Sequence, residues 1–105
     1  MPKHLAGLEE LILLAVASLG DAAYGVTVQE KLETQTRASI SLGAVYLGLE
    51  RLERRGFVRS WLGDATAARG GRRKRMFRAT PHGHAALREM ERIRASLFSL
   101  APRPA

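Results

Sequence analysis

Apolar residues recur at the three- and four-residue spacing of an α-helix in the first part of this 105-residue chain. One such helix is predicted over residues 5–19. Gly20 follows it and suits the left-handed conformation that often ends a helix. A second helix is predicted over about residues 24–34, with Val28 and Leu32 on its inner side.

A third helix is predicted between Ser41 and Gly56. Ser41 carries a short hydroxyl side chain of the kind that caps a helix N-terminus, and Gly56 suits a helix end. The apolar stripe of this helix consists of Leu42, Val45, Leu49 and Leu52. We expect the stripe to face the core of the domain.

After this helix the apolar pattern changes to the period of two that is typical of β-strands. Residues 57–62 and 74–78 predict two strands, and the Gly- and Ala-rich residues 63–71 predict a hairpin connection between them. Thr80 and Pro81 suit the cap and the first position of a fourth helix, which runs to about residue 100. The predicted fold class is therefore mostly α with a small β-hairpin, in the order of a winged helix-turn-helix.

The charge of the chain is strongly positive and unevenly distributed. Seventeen Lys and Arg against ten Asp and Glu give a net charge of +7, and between Arg54 and Arg88 ten basic residues stand against one acid, Asp64. Nucleic acid is the leading partner for such a segment, because fixed cations release the condensed counterions of a polyanion. A solvated basic face without a partner is the alternative. An anionic membrane surface fits less well, since the charges do not alternate with bulky apolar residues on a helix.

Residues that could support catalysis or bind a metal are few. The chain has no cysteine, which excludes disulfides and thiolate metal sites and fits a reducing cytoplasm. The three histidines are His4, His82 and His84, and a His-x-His pair on a helix does not place both rings on one face. The glycine-rich segment matches neither a P-loop nor a dinucleotide fingerprint. We therefore expect no enzyme activity, no metal and no cofactor. The longest apolar run is too short to span a bilayer, so no membrane association is expected.

The third helix is predicted to lie in the major groove of double-stranded DNA, with the hairpin on the backbone or in the adjacent minor groove. The predicted DNA-binding residues of this helix are Ser41, Leu42, Gly43, Ala44, Tyr46 and Arg51. Those of the hairpin are Arg72, Arg73, Lys74 and Arg75. For Tyr46 a packing role in the domain competes with a phosphate contact, and for Arg51 an ion pair with a nearby Glu does so.

The fourth helix carries an uninterrupted heptad seam that predicts a dimer interface. The seam consists of Ala86, Met90, Ile93, Leu97 and Leu100. Packing on the chain's own domain is the alternative, but the helix is longer than a three-helix core could cover. The first helix is apolar on all sides, so Leu11 and Leu14 are predicted to lie against a second subunit. We expect one structural unit, with a DNA-binding domain over residues 1–80 and a dimerisation helix and tail over residues 81–105.

Residues 43–58 carry a recognisable motif, Gly-Ala-Val-Tyr-Leu-Gly-Leu-Glu-Arg-Leu-Glu-Arg-Arg-Gly-Phe-Val. It resembles the recognition-helix pattern of the PadR family of bacterial transcriptional regulators, a Gly-x-x-Tyr followed by Leu-x-Arg-Leu-Glu-x-x-Gly and an apolar pair. Trp61 falls where that pattern often has tryptophan. Weaker matches flank the motif at residues 24–25 and 71–80, and the resemblance covers about residues 8–87.

The resemblance implies a homodimeric repressor of the bacterial cytoplasm that binds a two-fold symmetric operator and associates with the nucleoid through DNA. It also implies dimerisation through the last helix and sometimes the first, and a possible small hydrophobic or aromatic effector at the dimer interface. Four positions depart from the pattern. Ala44 and Leu47 stand where Thr and Pro are usual, and Met76 and Ala79 replace an aromatic residue and a leucine. Because Ala44 lacks a hydroxyl that could contact DNA, the operator cannot be copied from relatives, whereas Met76 and Ala79 affect the packing of the hairpin and not its charge.

A second function remains open from the sequence. The same fold could be an interaction module whose basic hairpin binds RNA or an acidic protein without operator specificity. Competition distinguishes the two, because a sequence-specific regulator binds one duplex typically about 10³–10⁷-fold better than bulk DNA.

Overall fold

The computed structural model describes residues 7–64 and 73–104. Its elements, in chain order, are α1 (Gly7–Leu19), a short 3₁₀ turn (Gly20–Ala22), α2 (Gly25–Thr36), α3 (Leu42–Arg54), β1 (Val58–Leu62), β2 (Arg75–Ala79) and α4 (Pro81–Leu100). The two strands pair in an antiparallel hairpin that contacts α1 and α3. The winged helix-turn-helix predicted from the sequence is confirmed.

Local side-chain chemistry accounts for most of the helix boundaries. The Ser41 hydroxyl accepts a hydrogen bond from the Ala44 N–H at 3.1 Å and caps α3, as predicted. Thr80 caps α4 in the same way. Gly20 and Gly56 both have positive φ angles, of 57° and 78°, and each follows the end of a helix. These four boundaries need no tertiary contact. The two hydroxyls accept hydrogen bonds from backbone N–H groups of the first helical turn, and the two glycines turn the chain away from the helix axis.

The core lies between the first three helices and the inner face of the hairpin. The predicted α3 positions Val45, Leu49 and Leu52 are fully buried, and Leu42 at the start of the helix is half-buried. The remaining large core side chains are Ile12, Leu13, Val16, Val28, Leu32, Phe57, Val58 and Phe77. Gly48 completes the contact between α1 and α3, because a side chain there would overlap the end of Ile12.

The hairpin has one inner and one outer face. Direct pairs such as Ser60 with Phe77 lie on the face toward α3, and Trp61 with Met76 on the opposite face. The free edge of β2 is covered by the segment before α2, since the Phe77 N–H donates to the Ala23 carbonyl at 2.9 Å. This extra pairing was not predicted, and it joins the hairpin to the start of α2.

The fourth helix crosses the domain and then extends beyond it. Glu10 of α1 is 6% exposed, and its carboxylate accepts hydrogen bonds from the Arg94 guanidinium. These hydrogen bonds, with the negative charge of Glu10 as the second cause, raise the pKa of Arg94 above its ordinary value. The radius of gyration is 15.6 Å and the longest dimension 57 Å, whereas a compact domain of about 100 residues has a radius near 13 Å. Within residues 7–64 and 73–104, no helix is both long and apolar enough to cross a membrane.

Candidate nucleic-acid interface

The turn between α2 and α3 is held by side chains of α2. The Gln29 amide donates to the Ile40 carbonyl at 2.8 Å, and the Glu33 carboxylate accepts from the Ile40 N–H at the same distance. Arg37, with a φ angle of 58°, ends α2 in the left-handed conformation. The start of α3 is therefore fixed relative to α2, as positioning a recognition helix requires.

The surface of α3 that points away from the core consists of Gly43, Leu47, Glu50 and Arg54, which we call the outer face. At 100° per residue these four positions lie opposite the stripe of Val45, Leu49 and Leu52. All four residues are exposed, and Leu47 keeps 46% of its surface accessible. Apart from its own turn of helix, no atom of the described residues lies within 4 Å of a Cβ added at Gly43, so a ligand can approach the backbone closely there.

Tyr46 lies on one flank of the outer face and is 40% exposed. Its ring packs against Gly25 at the start of α2, where a Cβ would overlap the phenol. The Tyr24-Gly25 and Gly-x-x-Tyr motifs of the sequence thus meet in one contact. The ring therefore has the packing role weighed from the sequence, and the exposed part of Tyr46 leaves the predicted phosphate contact open.

The other predicted residues of α3 occupy different environments. The Ser41 hydroxyl is engaged as the helix cap, and Leu42 and Ala44 are half-buried. Arg51 is exposed and forms no ion pair within the part of the chain that the structure describes, so the competing Glu partner is not observed there. Leu47 and Glu50, at the centre of the outer face, were not among the predicted residues. The 100° spacing from the core stripe could have identified them.

The hairpin is attached to α3 by a chain of hydrogen bonds. The Glu53 carboxylate accepts from the N–H and the hydroxyl of Ser60, at 3.1 and 2.7 Å. The Ser60 hydroxyl in turn accepts from the Arg75 guanidinium at 2.7 Å. Arg75 therefore stands beside α3, across a groove of about 480 Å³ that Tyr46 and Glu50 also border.

The predicted basic residues of the hairpin differ in how they are held. Arg73 is exposed and donates through Nε to the Gly63 carbonyl at 2.9 Å. The Lys74 ammonium lies 4.4 Å from the centre of the Tyr24 ring and 3.3 Å from its hydroxyl. Arg72 lies outside the described residues. Lys74 is thus held over an aromatic ring, whereas Arg73 and Arg75 remain exposed.

The basic segment from Arg54 to Arg88 is not one continuous anion-binding surface. Arg55 pairs with Glu9 of α1 at 3.6 Å, and Arg78 pairs with Asp21. These two arginines connect elements of the domain. The sequence alone could not separate them from the exposed cations, because their acidic partners lie far away along the chain.

The predicted dimer-interface residues lie on α1 and α4 with graded exposure. Ala86 packs partly against the core of its own domain, and Met90 and Ile93 are half-buried. Leu97 and Leu100, farther along α4, are 64% and 76% exposed. Leu11 and Leu14 are also exposed on the outer side of α1. The seam therefore changes along α4 from packing on its own domain to an uncovered apolar surface.

Comparison with known proteins identifies relatives of the whole arrangement. The sequence model of the transcriptional regulator PadR-like family matches residues 13–89. A PadR-like transcription factor from Bacteroides fragilis superposes with a TM-score of 0.73 at 22% identity, covering 89% of this chain and 84% of its own. A PadR-like regulator from Bacillus cereus gives a TM-score of 0.71 at 22% identity, with coverages of 89% and 85%. A PadR family regulator from Eggerthella lenta gives 0.68 at 26% identity, with coverages of 85% and 75%. No curated protein matches the chain.

Proposed function

Because the chain belongs to the PadR-like family of transcriptional regulators, we propose that it is a repressor that binds a two-fold symmetric operator in double-stranded DNA as a homodimer. Members of this family bind DNA and regulate transcription, so the expectation that the chain is not an enzyme is confirmed. The symmetric operator, the repression and the dimer are the parts that we propose.

One observation carries the proposal for DNA binding. The hydrogen bonds from Glu53 through Ser60 to Arg75 hold the basic hairpin beside the outer face of α3. A helix that lies in the major groove, which is about 12 Å wide, with a cation beside it can reach base edges and a flanking phosphate together. In this arrangement α3 contacts base edges and the exposed Arg73 and Arg75 contact the backbone.

The proposal of a homodimer is supported by the apolar surface that the single chain leaves uncovered. Leu97 and Leu100 on α4 and Leu11 and Leu14 on α1 expose large apolar side chains. Such a surface on a regulator of this size is typical of a subunit interface. A two-fold contact would bury the same residues of both subunits and present two copies of α3 to one operator. A small hydrophobic or aromatic effector would bind in the same interface.

The proposal is tested by selecting bound duplexes from a random pool. We expect one enriched motif with two-fold symmetry, whose half-sites lie about one helical turn, 34–36 Å, apart. The selected duplex should bind about 10³–10⁷-fold more tightly than bulk DNA at physiological salt. A single-stranded RNA of equal length serves as the competitor. If no motif is enriched and RNA competes as well as bulk duplex DNA, the chain is an interaction module instead.

Replacing Tyr46 by Phe is expected to weaken operator binding without changing thermal stability. Among the described residues the phenol oxygen has no hydrogen-bond partner, so its removal leaves the packing on Gly25 intact. A hydrogen bond to a phosphate would be lost, at a cost of about 1.5–3 kcal/mol in binding. Melting temperature and duplex affinity are measured side by side. A lower melting temperature with unchanged affinity would show that the hydroxyl acts within the domain.

A further inference from the structure

The centre of the outer face of α3 carries an apolar and an acidic side chain with no role in the fold. Leu47 is almost half exposed and is absent from the core cluster. Glu50 is exposed, and no described residue forms a hydrogen bond or an ion pair with it. Glu53, one turn from Glu50, is by contrast engaged with Ser60.

The composition of α3 restricts what this face can read. Residues 42–50, the part of α3 before its last turn, contain no Arg, Lys, Asn or Gln, and Arg54 is the one such residue on the outer face. These are the side chains that form bidentate hydrogen bonds with guanine or adenine in the major groove. Between Leu42 and Glu50 the outer face therefore offers an apolar side chain for the methyl group of thymine and a carboxylate that accepts from an amino group of a base.

A carboxylate in this place is informative because DNA disfavours it. A negative charge near the phosphate backbone is repelled unless it meets a hydrogen-bond donor. The N4 amino group of cytosine is such a donor in the major groove. The N6 amino group of adenine is a donor too, but it lies beside the N7 acceptor, which repels a carboxylate, so Glu50 favours cytosine at its position.

We propose, on the basis of the DNA-binding function proposed above, that Leu47 and Glu50 determine the operator sequence by reading pyrimidines. Leu47 contacts the 5-methyl group of a thymine, and the Glu50 carboxylate accepts a hydrogen bond from the N4 amino group of a cytosine. The two residues are three apart and rise about 4.5 Å along the helix axis. Base pairs are stacked 3.4 Å apart, so the two side chains meet the same or neighbouring base pairs.

The role of Glu50 is tested by repeating the random-pool selection with the full chain carrying Glu50→Gln. A Gln side chain pairs with adenine, so we expect one position in each half-site to change from C·G to A·T while the rest of the motif persists. Glu30→Gln is the matched control, because Glu30 is also exposed and lies on α2, away from the outer face. An unchanged motif with Glu50→Gln would overturn the assignment.

The role of Leu47 is tested with the wild-type motif and uracil in place of each thymine in turn. At one thymine per half-site, loss of the methyl group should weaken binding by the wild-type protein about fourfold, the effect of one buried methylene-sized group. The Leu47→Ala variant should bind the thymine and uracil duplexes equally. If the wild-type protein does not distinguish uracil from thymine at any position, Leu47 does not read a methyl group.

The two levels of the proposal fail in different ways. If the wild-type selection enriches no motif, the proposed sequence-specific function itself is wrong. If a motif is enriched but neither Glu50→Gln nor the uracil series alters recognition, the regulator stands and only the reading by Leu47 and Glu50 is wrong.

Discussion

Replacing Gly83 by Ala is expected to lower the free energy of unfolding by about 1–3 kcal/mol or more. Gly83 lies in the first turn of α4 and is buried against the backbone carbonyl of Phe57, which a Cβ would overlap. This backbone is held in place by the Thr80 N–H, which donates to the Phe57 carbonyl at 3.0 Å, so it cannot move aside without loss of that bond. For a domain of this size each kcal/mol corresponds to about 4–8 °C in melting temperature.

The matched control is Gly43→Ala, a second glycine in the first turn of a helix. A Cβ at Gly43 meets no atom within 4 Å, so this change should leave stability equal or raise it by about 0.5–1 kcal/mol. Thermal unfolding of both variants is compared at one protein concentration. A Gly83→Ala variant that melts with the wild type would show that α4 docks differently from the described contact.

Replacing Leu97 by Glu is expected to convert the proposed homodimer into a folded monomer. The side chain is 64% exposed in the single chain, so the domain itself loses little when it becomes charged. In a two-fold interface the same change would bury an unpaired carboxylate on both sides, at a cost of several kcal/mol. Leu97 is a sharper probe than Ile93, because the half-buried Ile93 also contacts its own domain.

Light scattering reports the mass and circular dichroism the helix content of this variant. Ala95→Glu is the control, since Ala95 is exposed and lies on the opposite side of α4 from the seam. We expect the control to remain dimeric and to bind the operator, and the Leu97→Glu monomer to bind much more weakly because it contacts one half-site. A Leu97→Glu protein that stays dimeric would place the interface elsewhere, with α1 as the next candidate.

Much of the fold could be predicted because its signals are local. The caps at Ser41 and Thr80 act within three residues, on the N–H groups of Ala44 and Gly83. The apolar stripe of α3 is periodic, so its buried positions follow from helix geometry alone. The change of period after Gly56 identified the hairpin, whose strands begin within a residue of the predicted positions.

The candidate site was predicted less completely, for a reason that is also physical. Ser41, Leu42 and Ala44 were assigned to the DNA surface because they begin the recognition helix. The described structure uses Ser41 as a cap and half-buries the other two. The outer face is centred one turn later, at Leu47 and Glu50. The side of α3 that packs on the core decides which side is accessible, and no single residue reveals that side.

The sequence by itself determined the elements, their caps, the apolar stripe of α3 and the family to which the chain belongs, because these depend on neighbours within one or two turns. Tertiary structure decided which charges are engaged. Arg94 pairs with Glu10, which lies 84 residues earlier in the chain. Within the basic segment Arg55 pairs with Glu9, whereas Arg73 and Arg75 stay exposed. An ion pair requires two side chains within about 4 Å, and only the packed helices and hairpin set that distance.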